Sequence, residues 1–450
     1  MILNVMQQKQ TFAALNDVIL ARLGAVESEI REQRLPQAAA MLNALHQEQP
    51  KDPRIHLVAM QLAQAANNPK AALESAQRAV SIAPQWVPAL VAAAMVASAQ
   101  QQHVPAVDYA KRATALAPTD LGVVERAVSV ANAASDTHFA YSLLSDALKQ
   151  WPDDSTIQRA LAYNLITQAR YDEALQLLEP LVQREGTDEL ALAGKAYVML
   201  QLARKEEAQL IYDRLSAEYP EREEYRYYLS IARDETPAHQ PEFISRILFD
   251  SYAPRFDQHL VGTLGYRVPS IVAALIREQF PTLDCDVLDL GCGTGLLGVY
   301  LGKPKGFLVG VDLSTEMIKG AMKHGLYDRF HSVNLNDALH ATDADEYDVI
   351  AACDVFIYVG DIAAAIHDAA RVLRPGGLLV FSCERADEAG PDLAMQGSRR
   401  YAHKESATLA LCKAAGLIQC TARTAVLRKE DRKDVAGFIV TARRAPSSPA

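Results

Sequence analysis

The stretch Val287-Leu-Asp-Leu-Gly-Cys-Gly-Thr-Gly-Leu-Leu-Gly298 decides how the second half of the chain is read. A short apolar run of strand type ends in a cluster of glycines, and a helical pattern begins straight after it. Glycines at the end of a buried strand let the backbone pass close to a ligand. Counted from Gly293, the spacing Gly293, Gly295, Gly298 is GxGxxG, which suits a dinucleotide. Two features pull away from that reading. Asp289 stands two residues before Gly291, where a carboxylate suits a ligand ammonium group and repels a pyrophosphate. The segment RVLRPGG (371–377) then leads into a further strand and a closing hairpin.

Around this segment, apolar runs alternate with helical patterns: VLDLG (287–291), FLVGVDL (307–313), YDVIAACDV (347–355) and GLLVFSCE (377–384). Such alternation predicts a mostly parallel sheet wrapped by helices. CTARTAVLR (420–428) and AGFIVTARR (436–444) follow one another without an intervening helix, which predicts an antiparallel hairpin at the sheet edge.

The segment Asp289–Gly295 resembles the first motif of the class I S-adenosylmethionine (SAM)-dependent methyltransferases, a resemblance that covers roughly residues 243–444. ILFDSYAPRFDQHL (247–260) and SRRYAH (398–403) are similar to a bacterial group of such enzymes with attached helical repeats. The resemblance implies a doubly wound, Rossmann-like α/β domain with SAM as cofactor. It assigns Asp289, Gly291, Gly293 and Gly295 to the methionyl part and Asp312 to the ribose hydroxyls. Asn334 falls where the family reads the adenine amino group, with Asn336 and Asp337 as alternative registers and a plain turn as the structural alternative. Leu313 and Met317 are set beside the adenine or in the core. Tyr252 and Phe256 resemble residues that fold over the cofactor, where an aromatic face suits a sulfonium.

Ligands in such sheets bind at the carboxyl ends of the strands, which directs the methyl acceptor to Cys353–Tyr358 and Cys383–Glu384. A base is needed only for an acceptor that arrives protonated, and Asp354 and His403 are the catalytic candidates. Structural hydrogen bonding is the alternative role for His403. Tyr358, Arg400 and Tyr401, with Arg399, are the candidates for holding the acceptor or covering the pocket. Cys292 reads as a small filler.

The first half is a repeat. Pro50, Pro84, Pro118, Pro152 and Pro220 keep a 34-residue register, with Gly186 in the slot between the last two. Alanines stand twelve residues earlier each time, at Ala38, Ala72, Ala106, Ala140, Ala174 and Ala208. Small residues let helices approach closely, and a proline or glycine past a helix end stops it. These columns resemble a tetratricopeptide (TPR) array of about six 34-residue repeats, an all-α solenoid that presents a surface for a protein or peptide partner, or for a second copy of itself. The expected division is a repeat domain over 1–231, a linker over 232–242 and a methyltransferase domain over 243–450. A protein acceptor and a small-molecule acceptor both remain open. So does a SAM-binding scaffold without catalysis.

Lys plus Arg number 45 against 55 Asp plus Glu, a net charge of −10, and neither half is basic. That argues against a broad grip on nucleic acid, which needs a cationic surface. No apolar run reaches the roughly 20 residues that span a bilayer. The N-terminus lacks a secretory pattern. Six cysteines without a CxxC pair, and scattered histidines, predict reduced thiols, a cytoplasmic setting and no metal site.

Overall fold

The structure, a computed structural model, describes residues 17–184, 186–253, 265–430 and 433–446. The chain divides into two compact units that meet between Ile211 and Tyr212.

The repeat pattern folds as successive helices: α1 (Asp17–Arg31), α2 (Leu35–Glu48), α3 (Pro53–Ala65), α4 (Pro69–Ile82), α5 (Val87–Ala99), α6 (His103–Leu116) and α7 (Leu121–Ala133). They continue as α8 (Thr137–Gln150), α9 (Ser155–Thr167), α10 (Tyr171–Arg184), α11 (Glu189–Gln201), α12 (Lys205–Glu218) and α13 (Glu223–Ala232). Asp52, Asn68, Asp120, Asp136, Asp154 and Asp188 cap helix starts by accepting backbone N–H groups. The alanine column is fully buried, as close helix packing requires. Trp86 is also buried.

A second 34-residue period lies in the backbone. Gln33, Asn67, Gln101, Ser135, Ala169 and Ala203 all adopt φ between 51° and 59°. The amide after each one reaches back to a carbonyl five residues earlier, from Arg34 to Glu29, through to Arg204 to Met199. This is the Schellman closure of a helix end, built here without glycine.

The second unit contains α13, α14 (Glu242–Tyr252), α15 (Val268–Gln279) and the α/β elements. In order these are β1 (Val287–Leu290), α16 (Leu296–Leu301), β2 (Leu308–Val311), α17 (Thr315–Met322), β3 (Arg329–His331), α18 (Leu335–Ala341) and β4 (Tyr347–Ala352). Then come α19 (Ala363–Val372), β5 (Leu373–Arg385), β6 (Leu393–Met395), β7 (Tyr401–His403), α20 (Glu405–Ala414), β8 (Leu417–Glu430) and β9 (Lys433–Arg444).

Strands β3, β2, β1, β4 and β5 run parallel in that spatial order, and β9 lies antiparallel beside β5 with β8 outside it. The strand order reverses between β1 and β4, which opens a crevice at their carboxyl ends. Alternate residues feed two cores. Leu288, Leu290, Val309, Val311 and Ile350 enter one, and Val287, Leu308, Val349, Ala351 and Val380 enter the other.

The alternating strands and the closing hairpin expected from sequence are present. The segment SRRYAH, whose Arg399, Arg400 and Tyr401 are candidates for holding the acceptor or covering the pocket, is divided between a turn and a strand. Its last three residues form β7, which pairs with the end of β5 and with β6 and is buried throughout.

Candidate functional site

A cavity of about 940 Å³ opens at the carboxyl ends of β1, β2 and β4. One side is built from the glycine loop after β1. Gly291 and Gly293 adopt φ of 62° and 54° and line the cavity. A Cβ on Gly291 would overlap the side chain of Val355, so the absence of a side chain here lets Val355 pack directly on the loop. Gly295, at φ 85°, stands at the start of α16 behind the wall.

Asp312 stands at the tip of β2, in the cavity wall. Its two oxygens accept backbone N–H groups from Gly293 and Ser314, each at 2.8 Å. Burial raises its pKa, while those two amides work in the opposite direction. A carboxylate offers about four acceptor positions. Two therefore remain for a diol. Leu313, Met317, Asn334, Leu335 and Asn336 continue the wall.

Asn334 caps α18 through its carbonyl oxygen, accepting from Asn336 N at 2.8 Å, and its amide donates to Glu242 at 2.6 Å. Asn336 presents a buried amide oxygen without a hydrogen-bond partner. Helix α14 closes over this side, with Asp250 accepting from Ser314 Oγ at 2.6 Å.

The other side is polar and charged. Asp354, at φ 55° just past β4, accepts from Ser382 Oγ at 2.7 Å and from Arg428 Nη1 at 3.1 Å. Burial raises the Asp354 pKa and Arg428 opposes the rise. Arg428 is buried at the centre of a network that also holds Glu384 and Glu430. Arg400 joins it through Glu430 and Glu384. A buried guanidinium is costly unless each donor is paired, and this one is paired through all three of its nitrogens. Tyr266 and Tyr358 line the same side, with Tyr358 edge-on to Phe249 at 4.9 Å. Glu223, Tyr227 and Tyr228 of α13 complete the lining.

The methyltransferase domain family model matches residues 288–379, and the tetratricopeptide repeat model matches 131–196 and 165–230.

The chain carries a methyltransferase domain behind tetratricopeptide repeats.

Among curated relatives, the ubiquinone biosynthesis O-methyltransferase of Hydrogenovibrio crunogenus is 36% identical over 111 residues, 23% of this chain and 45% of that protein. The same enzyme of Xylella fastidiosa is 32% identical over 126 residues, 27% of this chain and 51% of that one. The chain thus spans about half the length of the curated relatives it matches. Magnesium protoporphyrin IX methyltransferase of Synechocystis, solved with bound SAM, covers 47% of this chain and 100% of its own at 21% identity and a TM-score of 0.36.

Within the methyltransferase domain, the structure brings Gly291, Gly293, Asp312, Asn334, Asp354, Tyr358 and Arg400 to one cavity. Asp289 is placed elsewhere. It is fully buried behind the cavity lining and accepts from the Tyr327 hydroxyl at 2.6 Å. Burial pushes its pKa up to about 7, with Tyr327 opposing the rise and Asp312 adding to it.

His403 and Tyr401 do not line the cavity. Both are buried in β7. The His403 Nε2 makes a 2.7 Å hydrogen bond with the Gly360 carbonyl, and burial lowers the imidazole pKa. His403 is therefore a structural group beside the Val355–Gly360 segment. Phe256 and the Tyr252 side chain lie outside the described residues. Cys292 is buried filler against Gly310.

Sequence reasoning missed Arg428, Glu430, Tyr266, Tyr227 and Tyr228. Arg428 sits where the β8–β9 register shifts, between Val426 and Arg428. Such a bulge re-aims a side chain that simple alternation would send outward. Among the described residues no His, Cys, Asp and Glu group could hold a metal ion. No described helix is long and apolar enough to cross a membrane.

The site fits SAM by its own geometry. Two glycines at positive φ expose backbone in the cavity wall at Gly291 and Gly293, a carboxylate with spare acceptor capacity sits at Asp312, and an unpartnered amide oxygen sits at Asn336.

Proposed function

We propose that the chain is a SAM-dependent methyltransferase whose tetratricopeptide repeats recruit a protein, either as methyl acceptor or as assembly partner. The observation that carries the enzymatic reading is Asp312, held at the tip of β2 in the wall of the cavity next to the glycine loop.

When bound, SAM supplies a methyl group already activated by its sulfonium. Asp312 takes the ribose hydroxyls on its two remaining acceptor positions. Gly291 and Gly293 let the amino-acid part lie against the backbone, and the Asn334–Asn336 segment meets the adenine edge. The chain's main contribution is positioning, because in-line alignment of the reacting atoms supplies much of the acceleration. Asp354 receives the proton of an amine or hydroxyl acceptor. Burial strengthens its hold on a proton, while Arg428 and Ser382 fix its direction.

A second reading, a small-molecule acceptor methylated on oxygen, draws on the curated relatives named as ubiquinone biosynthesis O-methyltransferases. The cavity volume supports it, since about 300–1,000 Å³ is usual for small-ligand sites.

Calorimetric titration of the full chain with SAM and S-adenosylhomocysteine tests the enzyme reading. Micromolar binding is expected, weakened about 10- to 100-fold by Asp312→Asn, the range for hydrogen bonds to a charged group. A folded wild-type chain that binds neither compound contradicts the proposal. Transfer of a labelled methyl group into cell extract separates the acceptor readings. A labelled product of protein size supports recruitment by the repeats, and one of small-molecule size supports the second reading.

A further inference from the structure

Helix α13 belongs to the stretch that matches tetratricopeptide repeats, yet it folds in the same compact unit as the sheet. It does more than end the array. Glu223, Tyr227 and Tyr228 face the cavity described above. The position of Tyr228 shows which part of that cavity the helix borders. The Arg399 guanidinium sits over its ring, 5.9 Å from the centroid. Arg399 occupies the turn between β6 and β7, and the next residue, Arg400, is paired with Glu384 and Glu430 around Arg428 and Asp354. This is the charged part of the cavity lining, the part that the SAM reading leaves to the acceptor.

The ring of Tyr228 is also held rigidly. Tyr212 stacks on it at 5.6 Å between centroids with planes 19° apart, and Tyr227 meets it edge-on at 5.2 Å. Tyr212 in turn meets Tyr225, which meets Tyr219, so tyrosines of α12, α13 and the turn between them form one packed cluster. An aromatic wall fixed before binding costs little entropy to use. Tyr266, Tyr358 and Phe249 add further rings to the same cavity lining. Ring pairs meet edge-to-face or offset and gain somewhat more than the area they bury.

We propose that Tyr228, supported by Arg399, is a specificity-determining residue on the acceptor side, and that the acceptor presents an aromatic group to the tyrosine-lined wall it belongs to. This rests on the SAM reading of the cavity. The last helix of the repeat pattern, which folds within the second unit, is then part of the substrate pocket.

The test needs no knowledge of the natural acceptor. S-Adenosylhomocysteine fills only the cofactor side. An aza analogue of SAM, with nitrogen in place of sulfur and a benzyl group on it, reaches from there toward the acceptor side. Both are titrated calorimetrically into the full-length wild type and into Tyr228→Ala, Tyr228→Phe and Arg399→Ala. Tyr228→Ala is expected to weaken the benzyl analogue about five-fold and to leave S-adenosylhomocysteine within about two-fold. Tyr228→Phe, which keeps the ring, restores wild-type affinity for both. Arg399→Ala weakens the benzyl analogue alone, and it carries the test if Tyr228→Ala does not fold. Equal losses for both ligands, or no loss for either, overturn the proposal while leaving the cofactor site intact. Failure of the folded wild type to bind S-adenosylhomocysteine overturns the SAM reading itself, and this proposal with it.

Discussion

Asp289 shows how one buried side chain couples the glycine loop to pH. An aspartate held near pKa 7 in the folded chain, against about 3.8 when unfolded, takes up a proton on folding. Stability therefore falls as pH rises from about 4 to about 7, and levels off above that. Asp289→Asn removes this contribution and keeps an acceptor for Tyr327. Thermal unfolding at pH 5 and pH 8 should show a smaller loss for the variant than for the wild type. Equal losses would mean that Asp289 does not hold the raised pKa. Gly291 makes a steric claim at the same scale. Gly291→Ala places a methyl group against Val355 at a positive φ, and should lower the unfolding temperature and weaken S-adenosylhomocysteine binding about 10-fold. Unchanged affinity would show that the loop yields easily. The place of Asp312 just past a strand was legible because the apolar run FLVGVDL carries it, while its role toward a ribose came from the family resemblance and not from that pattern. Arg428 was not legible, because the bulge that turns it inward leaves no trace in the hydrophobic alternation. The depth of Asp289 depends on Tyr327, 38 residues away, and no local pattern conveys that.

At the scale of the element, the repeat helices close with left-handed residues that are not glycine. For an alanine this conformation is strained. Ala169 and Ala203 are exposed and adopt φ of 55° and 59°. Ala169→Gly and Ala203→Gly should each stabilise the chain by about 0.5–1 kcal/mol, read from urea unfolding midpoints. A destabilisation would show that the turn has other constraints. The proline and alanine columns exposed the repeat because each acts locally, stopping a helix or allowing close packing. The turn geometry kept the same period but escaped notice, since Gln, Asn, Ser and Ala carry no common left-handed signal. Strand β7 escaped for a related reason. Three residues make no periodic pattern, and their burial comes from pairing with β5 and β6, which only the tertiary fold supplies. The β8–β9 hairpin was legible because two long runs with no helix between them leave few other arrangements.

For the whole molecule, the parallel sheet with its reversal between β1 and β4 fixes where chemistry can occur, and the sequence showed this through its alternating runs and glycine loop. It did not show that α13, with the pattern of a repeat helix, borders the same cavity. That depends on packing between segments some 170 residues apart, such as Tyr228 and Arg399. The central claim is that this cavity is a SAM site with its acceptor end at Asp354, Arg400 and Arg428. A crystal structure of the full chain with S-adenosylhomocysteine tests it most directly. The account predicts the ribose hydroxyls on Asp312, the amino-acid part along Gly291 and Gly293, and the sulfur turned toward Asp354. Ligand bound away from Asp312, or the same cavity filled in the opposite direction, would contradict it.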